Sequence, residues 1–114
     1  MRRYAIQQHH SGRVLGMIKS FRHKELKKFF ETGSTAGIQP AHAKKLRRQL
    51  LVLDSATSPA DMDVLGWGLH PLTGKNPKNQ DVEKHYSISV NGNWRLTFKF
   101  ENEDAVLVDY QDYH

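Results

Sequence analysis

The stretch YSISVNGNWRLTFKF (residues 86–100) decides the architecture of this chain. YSISV alternates along its length, Asn91-Gly92-Asn93 is a hairpin-turn signal, and WRLTFKF alternates again on the way back. In the return strand Trp94, Leu96, Phe98 and Phe100 share one face, and Arg95, Thr97 and Lys99 share the other. A face that apolar needs a cover. Downstream, ENED (101–104) turns the chain and AVLVDY (105–110) forms a further strand. Upstream, LHPL (69–72) is short and extended, because a residue before proline is biased away from the helical region.

The cover is found in the first half. In RHKELKKFFETG (22–33), Leu26, Phe29 and Phe30 stand at i, i+3, i+4, and Gly33 supplies a helix stop. PAHAKKLRRQLLVLDSA (40–56) begins with a proline suited to a first helical turn. Ala43, Leu46, Leu50 and Leu53 make its apolar stripe, with Lys44, Lys45, Arg47 and Arg48 mostly off it. MIKSF (17–21) reads as a short strand with Met17, Lys19 and Phe21 on one side and Ile18 and Ser20 on the other. TSPADMDVLGWG (57–68) is turn-rich with at most one helical turn after Pro59, and TGKNPKNQDVEKH (73–85) reads as a long mobile loop. The expected fold is α+β: two helices from the N-terminal half packed on an antiparallel-rich sheet of four to five strands.

The 114 residues suffice for one domain with a modest core. Residues 1–16 lack both periodicity and an apolar segment of signal-peptide type, so they are expected to be a disordered lead-in or an extended start, with the domain spanning 17–114. The chain has no cysteine, which excludes disulfides, zinc–thiolate sites and thiol nucleophiles. No run is long enough for a membrane span. The +5 net charge is unevenly spread: residues 17–58 hold nine Lys or Arg against three acids, and residues 59–114 hold five against nine. A basic front half favours contact with phosphate or another anionic surface.

Three places can carry chemistry. Arg95, mid-strand on the polar face, presents a rigid fork of donors suited to phosphate, although an arginine there can equally pair with a neighbouring acid. His70 is restrained by the following proline, and an imidazole is a side chain suited to acid or base work. At the C-terminus, alternation puts Tyr110, Asp112 and His114 on one face and Tyr113 on the other. Asp112 can orient a histidine, Tyr113 can donate a proton or stack on a base, and His114 can act as acid or base. The chain holds no phosphate loop, metal motif or nucleophile elbow.

Taken together, MIKSF, LKKFFETG, LHPLTG, YSISVNGNWRLTFKF and the closing VDYQDYH resemble the HigB-type toxins of the RelE/ParE superfamily, from Met17 to His114. The resemblance implies the small RelE-like fold and a ribosome-dependent endoribonuclease that cuts mRNA without a metal or other cofactor, arresting translation and growth in the cytoplasm. It implies a cognate helix-turn-helix, HigA-like antitoxin as partner, alongside the ribosome and mRNA. By the same resemblance His70 serves proton transfer or substrate placement, Arg95 stabilises charge on the scissile phosphate, and Asp112, Tyr113 and His114 form the active-site ending. Many relatives carry a lysine directly after HPL, where this chain has Thr73, and Lys75 is the candidate to replace it. The loop from Asn76 to His85 looks longer than usual for the family. Lys24, Lys27, Lys28, Lys44, Lys45, Arg47 and Arg48 would dock the protein on ribosomal RNA by charge. Two other readings stand beside this one: a ParE-like DNA gyrase poison that binds without nuclease chemistry, and a small basic RNA-binding module without activity. The terminal DYH discriminates, since a gyrase binder has no evident need of it.

Overall fold

The computed structural model describes residues 16–114, so the expected lead-in lies outside the described residues except for Gly16. Gly16 is itself buried at φ +85°, and a Cβ there would meet the Ala56 carbonyl oxygen at 2.6 Å. Only glycine suits that approach.

Two helices precede the sheet: α1 (Lys24–Thr32) and α2 (Ala43–Ser55). His23 caps α1 through its side chain, accepting the Leu26 N–H at Nδ1 over 3.0 Å. Gly33 ends it in the left-handed region at φ 84°, its N–H donating to the Phe29 carbonyl. A 3₁₀ turn at Pro40–His42 leads into α2, and another at Pro59–Met62 is the single turn expected after Pro59. Leu46, Leu50 and Leu53 of the expected stripe are buried, and so is Gln49, whose Nε2 donates to the Ser89 carbonyl at 2.9 Å.

Strands β1 (His70–Pro71), β2 (Tyr86–Asn91), β3 (Trp94–Glu101) and β4 (Asp104–Asp112) form one antiparallel sheet in sequential order. The expected hairpin is the β2–β3 turn, with Gly92 at φ 56°. Ile88, Leu96 and Tyr110 stand in register across three strands and join Leu26, Phe29, Leu46, Leu50 and Leu53 in one buried cluster. Each large apolar side chain fully buried there contributes roughly 1.5–3 kcal/mol.

The N-terminal segment departs from simple alternation. Ile18 and Phe21 both turn to the core, bridging in parallel to Ala105 and Val108 of β4. The three-residue spacing follows a bulge in β4, where the register shifts opposite Thr97–Lys99 and Leu107 takes φ 54°. The Leu107 N–H finds its acceptor in the Ser20 hydroxyl at 2.9 Å. This segment therefore extends the sheet past β4, as isolated bridges and not as a regular fifth strand.

The loop over residues 73–85, expected to be mobile, is closed by its own hydrogen bonds. Asn76 is buried and acts as the hub: its Oδ1 accepts the Lys78 and Gln80 N–H groups, and its Nδ2 donates to Gln80 Oε1 at 2.7 Å. The Val82 N–H donates to the Gly74 carbonyl, and the Leu72 N–H to that of His85. Turn-forming residues gave the polar, aperiodic look of a free loop, but an asparagine side chain can mimic backbone and close such a turn.

Candidate active site

The sheet face turned away from the helices is polar. His70, Ser87, Thr97 and Asp109 stand in register across β1–β4, and the adjoining row holds Ser89, Arg95 and Gln111. At the usual spacing between strands, the His70 and Arg95 strands lie roughly 10 Å apart. Arg95 folds toward its own hairpin, Nη1 donating to the Gly92 carbonyl at 2.6 Å and the Trp94 carbonyl at 3.1 Å. His70 is exposed, with Nδ1 3.0 Å from the Gly68 carbonyl, so Nδ1 carries the donated proton and Nε2 is left open to solvent.

The C-terminus does not fray. Gln111 pairs with Arg95, Asp112 pairs with Trp94, and the Tyr113 N–H donates to the Asn93 carbonyl at 2.8 Å. Beyond that pin His114 bends to Asp112, Nδ1 to Oδ1 at 3.0 Å. As in His70, the engaged Nδ1 leaves Nε2 for proton exchange. Tyr113 has the opposite parity, sharing the face of Gln111 and Asp109 as alternation predicts. Its hydroxyl is buried without a protein partner. Burial, assisted by the Asp109 carboxylate and opposed by Arg22, pushes the phenol pKa up, so Tyr113 keeps its proton and is a donor, not a base.

His70, Arg95 and Tyr113 thus share one face, while Asp112 has the parity of Trp94 and Tyr110, and the Asp112–His114 pair lies at the end of β4. Lys75 is exposed on the loop, where its backbone bridges to Asp81. The α1 and α2 cations are exposed as expected, with Arg47 lying over the Phe29 ring at 5.2 Å and Arg48 over Trp67 at 5.6 Å. Two residues escaped the sequence reading. Asp109 was recoverable from its alternation with Gln111 and Tyr113. Arg22, whose Nη2 donates to the Asp81 carbonyl at 2.9 Å, reaches this face only through the pairing of chain start with chain end. Among the described residues, no three His, Asp or Glu side chains converge as a metal site, and no helix is long and apolar enough to cross a membrane.

Two buried imidazoles, His42 and His85, and the half-buried His23 lie around this framework. His42 Nδ1 is hydrogen-bonded to the Tyr110 hydroxyl over 2.7 Å, and that hydroxyl also accepts the Gln39 N–H. His85 engages the Glu83 carbonyl through Nδ1 and leaves Nε2 buried without a partner. Burial lowers the pKa of His23, His42 and His85. The unfolded chain therefore binds protons that the folded chain refuses, so their contribution is present above about pH 6.5 and is lost as pH falls below it. The expected result is a melting temperature that drops from about pH 7 to about pH 5, less steeply in His85→Gln. An equally steep drop in that variant would remove His85 from the account.

The HigB-like toxin family, described as the RelE-like toxin of the type II toxin–antitoxin system HigB, matches residues 19–114. The chain belongs to this family of toxins, whose systems pair each toxin with an antitoxin. Among curated proteins it is similar to Endoribonuclease HigB of Proteus vulgaris, 42% identical over 98 residues that cover 86% of this chain and 100% of that protein.

Proposed function

We propose that this protein is a ribosome-dependent endoribonuclease that cuts mRNA, arrests translation and growth in the cytoplasm, and is neutralised by a HigA-like helix-turn-helix antitoxin. The name of its Proteus vulgaris relative supports RNA cleavage. The observation that carries the reading is the pinned tail, which sets an oriented imidazole beside the arginine strand.

In this reading the ribose 2′-hydroxyl attacks its adjacent phosphorus. The O2′–P bond forms, the P–O5′ bond breaks, and the products are a 2′,3′-cyclic phosphate and a 5′-hydroxyl. One group must take the 2′-hydroxyl proton and another must protonate O5′. His70 and His114, whose Nε2 atoms are unengaged, carry these transfers. Asp112 orients His114, and Tyr113 adds a phenolic donor. Arg95, with Lys75 as the loop's contribution, stabilises charge on the phosphorane. Holding mRNA in line is the ribosome's share, and positioning alone supplies much of the barrier reduction. The cations of α1 and α2 dock on ribosomal RNA without reading sequence.

Mapping RNA 5′ ends in a cell-free translation reaction, with and without the protein, tests this. New 5′-hydroxyl ends confined to ribosome-bound message are expected. Equal cutting of free RNA would remove the ribosome requirement, and intact message with inhibited DNA supercoiling would favour a gyrase poison.

A further inference from the structure

Two adjoining cavities lie along β4, one strand beyond Arg95, and share Gln111, the residue opposite it. One, of about 380 Å³, is walled by Arg22, Lys24 and Lys78 together with the carboxylates of Glu25 and Asp109. The other, of about 240 Å³, is walled by Trp94, Tyr110 and Pro77 and reaches Asp112, the partner of His114. Both share His23, Lys78 and Gln111, so they form one groove leading from the tail to a cluster of three cations interleaved with two carboxylates. Its cations come from the N-terminal segment, the start of α1 and the loop. Arg22 is held in place by the Asp81 carbonyl, and Lys78 by the turn closed on Asn76.

The order of chemistry along the groove matters. A partly exposed indole lies nearest the tail, its ring centroid 4.7 Å from that of Tyr110, and cations follow. An aromatic surface next to a basic track suits single-stranded nucleic acid, with a base on the ring and the backbone along the charge.

We propose that this groove binds the stretch of RNA flanking the scissile phosphate, with a base against Trp94 and its neighbouring phosphate on Lys78 and Lys24. The proposal rests on the nuclease reading and deepens it. It gives Lys78, not Lys75, the part of the loop's RNA-binding cation, because Lys78 lines both cavities and Lys75 lines neither. Arg22 braces the floor as a positioning residue.

The test uses a short single-stranded RNA with 2′-O-methyl groups throughout, which has no attacking hydroxyl and cannot be cut by this chemistry. RNA binding is expected to quench Trp94 fluorescence against a constant background from Trp67, which is only 4% exposed. Lys78→Ala is expected to weaken binding several-fold and to reduce the slope of log affinity against log salt by about 0.7. Lys84→Gln, the same loss of charge on the same loop but outside both cavities, is expected to leave affinity and slope unchanged. Absence of binding by the parent protein, or a Lys78→Ala variant indistinguishable from Lys84→Gln, would overturn the groove. Cleavage of translated mRNA, followed on the same preparations, reports separately on the nuclease: cutting with no groove effect refutes only this inference.

Discussion

Arg95→Ala is expected to lower mRNA cleavage by roughly 10²–10³-fold, the usual cost of removing a positioned donor from a developing anion. It should also relieve growth inhibition. The guanidinium sits on a central strand, opposite Gln111, with its Nη1 already committed to two hairpin carbonyls. That commitment fixes the fork's direction before substrate arrives, so little reorganisation remains to be done during the reaction. His114→Gln should act at least as strongly, because an amide replaces the imidazole whose Nε2 exchanges the proton, and general acid–base contributions run to about 10²–10⁴-fold. Both variants are expected to fold and to bind antitoxin, a result checked by co-purification. Full toxicity in either would remove that residue from the site. Arg95→Lys distinguishes charge from geometry: partial recovery points to charge, and none points to the planar fork.

The second large effect concerns stability. Phe98→Ala is expected to cost about 3–5 kcal/mol, read as a lowered denaturant midpoint. Phe98 is fully buried, packs edge-on to Phe100 with centroids 6.0 Å apart, and stacks near Tyr86 at 6.4 Å. A single domain of this size has roughly 5–15 kcal/mol to lose, so the variant should lie close to unfolding at body temperature. A loss under about 1 kcal/mol would mean that the sheet collapses around the gap, contrary to the usual cavity cost. The two experiments separate cleanly, since Phe98 faces the helices and Arg95 faces the opposite side of the same strand.

By itself the sequence determined what short-range periodicity can express. The i, i+3, i+4 pattern of Leu26, Phe29 and Phe30, the leucine stripe of α2, and the alternation of β2 and β3 are local consequences of helix and strand geometry. They sufficed to place Arg95 on the polar face and to predict the opposite parities of Tyr113 and His114. Tertiary structure alone decided what depends on distant segments meeting. Ser20 and Leu107 are 87 residues apart in sequence, yet their hydrogen bond stabilises the β4 bulge. The parallel bridges beside that bulge bring Arg22 to Asp109, and the closed loop sets Lys78 and not Lys75 along the β4 groove. Alternation reports which way a side chain points from its own strand. Which strand or loop lies beside it depends on packing of the whole chain, and no local pattern carries that information.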